Sequence, residues 1–558
     1  MKKKVLLFTA VFMVMTMAVW GCGSDEDKSE ETTTEKTTEE STKKTGNDDS
    51  ELDFDTLNYI NDTQDEFLQT VLEEILGENE SLDKIVYDMD FPMFVGDTRV
   101  MFKVVKGKDA LGSDGQLKSV TDEAQEVVVR LKIEKEESYI KLNVLSKEDA
   151  APVKLDIEAK NLIHNTDNIR GNITLRETLG ENNEIKIEWT CDRPDLVTLE
   201  PTGENGQIPA GVVTRGANDE EVKLTATLSA ENFSATYDFN LTIKAAPAKK
   251  EYSAYVYTYF RGNIYGNGES QHIHMATSKD GFFWEAINDN EPVLTAELGT
   301  KGVRDSFLVR SPEGDHFFLI GTDLDANGGD WGSYGGNGSR YVRVWESDDL
   351  VNWSEERLVL LAPENAACMW APETTYDETT GEYVVYWSTG IKGGDGKKIW
   401  YAKTRDFYTF TEPQIYKNTE NGTTFIDTSM VEYQGTYYRF TKNENELTIL
   451  METSDSVLGD YTLVKTKIAG ENGVEGPACY KINGEEKWVL YMDGYTMDNA
   501  GVGYFPLIAN SLEDLKTANF VRMEEGTFKM PEGAKHGSFV PITQEEYDAL
   551  MAKWGGNN

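Results

Sequence analysis

The hydrophobic positions fall into several textures along the chain. Val5 to Trp20 is an almost unbroken apolar run behind Lys2, Lys3 and Lys4. Ser24 to Ser50 holds no aliphatic or aromatic residue. Such a segment cannot bury enough surface to offset chain entropy, so it predicts disorder. Phe67, Val71, Leu72, Ile75 and Leu76 then recur at helical spacing. Alternating runs at Val127–Ile133 and Tyr139–Val144 predict strands, and the plan returns at Val222–Leu228 and Tyr237–Ile243. From residue 251 onward, aromatic strands are separated by Gly-rich turns.

Two repeats organise these elements. Ser113–Leu117 before the first strand pair matches Pro209–Val213 before the second. A period of about 90 residues with alternating strands fits an immunoglobulin-like sandwich. In the C-terminal half, a short phrase recurs five times. Ser278–Trp284, Ser347–Trp353 and Thr404–Phe410 are its clearest copies; Ser454–Tyr461 and Ser511–Phe520 are weaker. Each copy sets a polar turn before an aromatic that can pack between sheets. The spacing of about 50–70 residues suits one four-stranded blade. The competing reading is an irregular β-sandwich with fortuitous turns. The fold class is therefore all-β: a five-bladed β-propeller with N-terminal immunoglobulin-like β-sandwich domains. The expected divisions are 1–21 signal peptide, 22–50 tether, 51–149 and 150–247 immunoglobulin-like domains, and 251–545 propeller.

Charge narrows the partners. The chain of 558 residues has 98 acidic and 54 basic side chains, a net charge of −44. A field of that sign repels phosphate backbones, so nucleic acid is excluded. Cys191, Cys368 and Cys479 lie far apart and form no CxxC pair, which argues for free thiols over zinc or a disulfide framework. The apolar run ends in Val19-Trp20-Gly21-Cys22. It is too short for a stable transmembrane helix and reads as a secretory signal. Its end resembles a bacterial lipobox, which implies lipidation of Cys22 and anchorage on the extracellular face of a bacterial membrane. Ordinary cleavage beside a chance Cys is the alternative, and Trp20 is unusual in a lipobox.

Carboxylates recur at the start of the predicted inner strands. Asp305 precedes Phe307–Arg310, Glu373 follows Trp370-Ala371-Pro372, Asp427 follows Phe425-Ile426, and Glu475 precedes Gly476-Pro477. Four successive blades would aim a carboxylate into one funnel. Residues from about 252 to 545 resemble glycoside hydrolase family 43, propeller enzymes that cleave α-L-arabinofuranosidic or β-D-xylosidic bonds with inversion. Val303-Arg304-Asp305-Ser306 matches the family's base motif, with Ser306 in place of Pro. The resemblance implies Asp305 as general base, Glu475 as general acid and Asp427 as the carboxylate that orients it and tunes its pKa. His536 in His536-Gly537-Ser538 matches a central histidine often found beside calcium or another ion; no cofactor is otherwise required. The second N-terminal copy, with Ile185–Trp189 and Pro194–Val197, looks like the atrophied bacterial immunoglobulin-like domains that precede many secreted glycosidases; Trp189 reads as core.

Cleavage passes through an oxocarbenium-like state that needs a protonated acid and an ionised base. Inverting enzymes set these about 6.5–9.5 Å apart to seat a water. A second negative charge near Glu475 would keep it protonated, as Asp427 could. Sugar recognition needs flat apolar faces beside polar groups. Trp331, Trp370, Trp387 and Glu373 are the candidate substrate contacts, and the Gly-rich loop Asp325–Ser339 is a candidate rim. His272 and His274 read as core or surface, His164 and His316 as surface. The expected partner is plant polysaccharide or oligosaccharide. A retaining fructan or sucrose hydrolase would need an Asn-Asp-Pro nucleophile and a Glu-Cys pair, both absent. The rival outside enzymes is a glycan-binding lipoprotein on an inactivated propeller, which the loss of Pro at Ser306 keeps open.

Overall fold

In the computed structural model, residues 52–555 are described, apart from 181, 231, 263–267, 395, 420 and 498–501; Asp49 is described as well. The lipobox, Cys22 and nearly all of the tether lie outside the described residues. Among the described residues, no helix is long and apolar enough to cross a membrane.

Residues 254–542 form five antiparallel four-stranded sheets, each a meander. We number them as blades 1 to 5 by their inner strands: Val303–Arg310, Trp370–Asp377, Phe425–Tyr433, Glu475–Lys481 and Ala534–Ile542. Blade 5 is composite. Its inner strand comes from the end of the chain and pairs with Ala254–Arg261 from the start, Phe539 opposite Tyr257. The closing strand joins the two ends of the propeller, so the ring is held without a covalent link.

The recurring phrase is the turn after the third strand of each blade. In blade 1, the Ser347 hydroxyl accepts from the Asp349 and Leu350 amides, and Asp349 accepts from Val351 and Asn352. In blade 2, Thr404 and Asp406 do the same for Asp406, Phe407, Tyr408 and Thr409. Ser278 and Asp280 repeat it in blade 5. These polar side chains satisfy turn amides that no strand can reach. They deliver Trp284, Leu350 and Phe407 to buried positions between sheets.

The N-terminal part contains two further four-stranded meanders, Phe94–Val144 and Thr178–Ile243. Helix Glu66–Glu74, capped by Asp65, packs Val71 and Leu72 onto the first. Helix Lys147–Lys160, capped by Ser146, packs Leu155 and Ala159 onto the second. Trp189 lies against the second core, its indole N–H donating to the Arg176 carbonyl.

The second module is fastened to the propeller. Arg405, in the blade 2 turn, donates to the carbonyls of Ile173, Pro209 and Ala210. Arg215 and Arg170 both bind Asp315. The junction corrects the surface reading of two histidines. His164 stacks on Tyr408 with ring centres 4.0 Å apart. His316 sits 2.6 Å from Asp348 and 3.4 Å from Glu346. Burial would lower the His316 pKa, but the two carboxylates outweigh it and raise it. Cys191, Cys368 and Cys479 are free thiols.

Candidate active site

Each inner strand breaks its pairing at the same place. Register shifts occur at Arg304/Phe307, Trp370/Glu373, Ile426/Thr428, Glu475/Ala478 and Ala534/Gly537. Such bulges re-aim side chains beside functional sites. In blades 1 to 4 the bulge holds one residue in the left-handed region: Asp305 at φ 50°, Ala371 at 46°, Asp427 at 47° and Gly476 at 52°. For non-glycine residues this conformation costs energy and persists only where the surroundings fix it.

The fixing groups form a chain from blade to blade. Thr322 donates its hydroxyl proton to Asp305 and accepts the Ala371 amide. Ser388 accepts the Asp427 amide, and the Asp427 carboxylate accepts the Gly476 amide, each at 3.0 Å. Tyr504 closes on the Gly476 carbonyl. The amides of Ala371, Asp427 and Gly476 thus each have a partner on the preceding blade. Ser306 follows Asp305 as Pro372 follows Ala371 and Pro477 follows Gly476. Its hydroxyl is buried with no hydrogen-bond partner. The bulge forms around Ser306 as it does around the two prolines, so the substitution leaves Asp305 in place.

The four carboxylates and His536 come from the five inner strands, one from each. His536 is 6% exposed and lies between two of them, 3.4 Å from Asp305 and 3.5 Å from Glu373. Its ring packs so closely on Gly476 that a Cβ there would stand 2.7 Å from Cγ. This is why glycine separates Glu475 from Pro477. Burial opposes charge on His536, but Asp305 and Glu373 outweigh it and raise its pKa.

Each ring nitrogen of His536 faces a carboxylate oxygen. Among the described residues no group of three His, Cys, Asp or Glu could hold a metal. Glu373 is 2% exposed, and burial raises its carboxyl to about 7.

The remaining carboxyls are driven apart. Burial pushes Asp305 upward, but His536, Arg304 and the Thr322 hydroxyl outweigh it and hold the group below the usual carboxylate range. Burial raises Glu475, and Asp427 adds to the rise against the pull of Lys442. Burial also raises Asp427, with Asp305 adding to it. Asp427 bonds the amide next to Glu475, so it is placed both to orient that residue and to disfavour its ionisation. The surroundings therefore push the carboxyls of Asp305 and Glu475 in opposite directions, on non-adjacent blades 1 and 4.

Several contributors carry no sequence signal of their own. Lys442 sits in the second strand of blade 3, its side chain 1% exposed, 2.9 Å from Glu475 and 3.2 Å from the Tyr495 hydroxyl. Arg304 is aimed by Gln271 and lies 5.2 Å from the Trp331 ring. The rim loop contains the short helix Trp331–Gly336, which leaves Trp331 49% exposed. Trp331 meets Trp370 edge to face at 6.2 Å. Lys397 caps the other side of Trp370 at 4.5 Å. These two tryptophans form an aromatic corner next to Arg304. Trp387 does not join them. It is 1% exposed and packs between blades with Ile320, Val344 and Phe407, so its expected role as a substrate wall is corrected to core. His274 is buried core, its pKa lowered to about 4 by desolvation, and His272 accepts the Ala296 amide.

A five-bladed propeller with an acidic funnel of this kind is the architecture of a large class of glycan-processing proteins, and the sequence places the chain within it. A family model described as a probable glycosyl hydrolase domain, of the family 43-related group, matches residues 250–548, and the chain belongs to that family. A second model, the atrophied bacterial Ig domain, matches residues 148–246. An α-L-arabinofuranosidase of Bifidobacterium longum subsp. longum is 34% identical over 444 residues, which cover 65% of this chain and 41% of that protein. The chain thus spans less than half the length of this relative. An exo-1,5-α-L-arabinanase from a bovine ruminal metagenomic library is 14% identical, with coverage of 50% of this chain and 95% of that one and a TM-score of 0.37. An endo-1,4-β-xylanase of Bacteroides thetaiotaomicron is 16% identical, with coverage of 52% and 99% and a TM-score of 0.35.

Proposed function

We propose that the chain is a glycosidase that hydrolyses plant cell-wall polysaccharide or oligosaccharides with inversion, releasing α-L-arabinofuranosyl or β-D-xylosyl units. The observation that carries this reading is the pair Asp305 and Glu475. They stand on non-adjacent inner strands, and their surroundings drive one carboxyl down and the other up. Asp305 takes a proton from water, and Glu475 gives one to the leaving oxygen. Asp427 orients Glu475, and His536 with Glu373 braces Asp305. Trp331 and Trp370 receive the sugar. The arabinofuranosidase named among the relatives supports an arabinofuranosyl substrate.

The test is a screen of nitrophenyl α-L-arabinofuranoside, β-D-xyloside and β-D-galactoside together with arabinans and xylans. Release from the arabinofuranoside is expected. Binding of these glycans with no turnover of any of them would favour the non-catalytic reading instead.

We further propose that residues 1–21 are a signal, that 22–50 form a tether, and that two immunoglobulin-like modules, 51–149 and 150–247, carry the propeller of 251–545. Cys22 anchors the chain to a bacterial membrane by its lipid. Metabolic labelling with a lipid precursor is expected to mark the protein, and Cys22→Ser is expected to remove the mark. A wild-type protein free in the medium, with an N-terminus away from Cys22, would contradict the anchor.

A further inference from the structure

Two neighbours reach different parts of Glu475. Asp427 accepts the amide of Gly476, which fixes the backbone beside the acid. The carboxyl itself is held from another strand. Lys442 lies on the second strand of blade 3, Thr436–Asn443, opposite Ile426 of the inner strand. Its Nζ donates to Oε2 of Glu475 at 2.9 Å and to the Tyr495 hydroxyl at 3.2 Å. Glu444, in the hairpin that follows, stands 2.7 Å from the same ammonium. Three neighbours thus face the three N–H groups of a lysine whose side chain is 1% exposed.

A buried lysine is costly unless it is paired. Burial opposes its charge, but Glu475, Asp427 and Glu444 outweigh it and raise its pKa. An ordinary lysine is already charged at neutral pH, so Lys442 is a cation in contact with one oxygen of the acid.

The contact distinguishes the two carboxyl oxygens. An ammonium donates and cannot accept. Oε2 therefore turns a lone pair to Lys442, and the proton of the acid belongs on Oε1. The Glu475 side chain is 29% exposed, and among the described residues Oε1 has no hydrogen-bond partner. Oε1 is the oxygen left for a ligand in the funnel. The charge of the acid also answers to other elements. Asp427 opposes its ionisation, whereas Lys442 and Arg304, on the inner strand of blade 1, favour it. Asp493, which pairs with Glu475 across blade 4 and accepts from Lys535, faces it too, as does Tyr495.

We propose that Lys442 is a positioning residue for the acid step: it holds Oε2 of Glu475, so that Oε1 delivers the proton, and it faces the negative charge left behind. The proposal rests on the hydrolytic reading of the site. In that step the Oε1–H bond breaks and its proton passes to the leaving oxygen. The bond from that oxygen to the anomeric carbon breaks with its electron pair on the oxygen. Water bonds to the carbon and gives its proton to Asp305. The electron pair of the broken O–H bond stays on the Glu475 carboxylate, beside Lys442. Without the cation, Glu475 would be a weaker acid, free to present either oxygen.

The test compares the full chain with its Lys442→Met, Lys442→Arg and Glu444→Gln variants. Titration of Glu475 is read by NMR on protein isotope-labelled at the glutamate carboxyl carbon, with the signal assigned through Glu475→Gln. The pH profile of kcat/KM is recorded alongside. Lys442→Met is expected to move the titration and the alkaline limb of the profile upward by more than about one pH unit, because an opposite charge in contact lowers a carboxyl by at least that much. Lys442→Arg is expected to return both toward the wild type. Glu444→Gln removes an anion that competes for Lys442, and both are expected to move downward. Turnover of arabino-oligosaccharides by Lys442→Met should fall more than turnover of the dinitrophenyl glycoside, because a weaker acid matters most for a poor leaving group. An unmoved titration in folded Lys442→Met would overturn the proposal. So would equal slowing of both substrates with the alkaline limb unmoved, which is what lost packing alone would produce. Should Lys442→Met not fold, Glu444→Gln decides, and an unmoved or raised titration there overturns the proposal. A titration that shifts as expected in a protein that hydrolyses no glycoside would contradict the hydrolytic reading and leave Lys442 no reaction to serve.

Discussion

Asp305→Asn is expected to lower the hydrolytic rate by about 10²–10⁴-fold with the fold and glycan binding retained, because a positioned general base is worth that much. The substitution keeps the size of the side chain and removes the charge. The Thr322 hydroxyl also accepts the Ala371 amide of the neighbouring blade, so it keeps a partner without the carboxylate charge. The pocket should therefore stay assembled while the water loses its proton acceptor. The melting temperature and the affinity for an arabino-oligosaccharide check the first half, and steady-state kinetics the second. A residual rate above about a tenth of the parent would place the base elsewhere.

Glu475→Ala is expected to separate substrates by their leaving groups. A natural glycoside needs a proton on its departing oxygen, whereas an activated aryl glycoside needs little help. Turnover of arabinan or xylan oligosaccharides should fall by about 10²–10⁴-fold, and turnover of the dinitrophenyl glycoside far less. The truncation leaves Asp427 tied to the Gly476 amide and leaves Lys442 paired with Glu444, so the damage stays local. Equal losses on both substrates would remove Glu475 from the acid role. Glu373, raised to about 7 by burial, would then be the next residue to test.

The propeller was legible because its turns repeat a chemistry that a sequence displays directly. Ser, Thr and Asp caps at a fixed offset mark the same turn in successive blades. The funnel residues were legible because each sits just before an apolar run, where an inner strand begins. The shape of the site was less so. Alternation identifies a strand, but a blade strand is buried on both faces, so Tyr383–Trp387 gives no sign that Trp387 points into the core. Lys442 lies in an aromatic strand like any other polar residue, and only the adjoining blade shows that it meets Glu475. The helix Lys147–Lys160 gives little sequence signal because Pro152 lies within it and its apolar face is weak.

The central claim is an inverting displacement between Asp305 and Glu475. Blades 1 and 4 are not neighbours in a five-membered ring, because blade 5 lies between them. In the proposed mechanism the two carboxyls approach the sugar from opposite sides, with room for water at Asp305. Proton NMR of the first product formed, recorded before mutarotation, measures this most directly. The account predicts an anomeric configuration opposite to that of the substrate; a product that retains the substrate's configuration would contradict it.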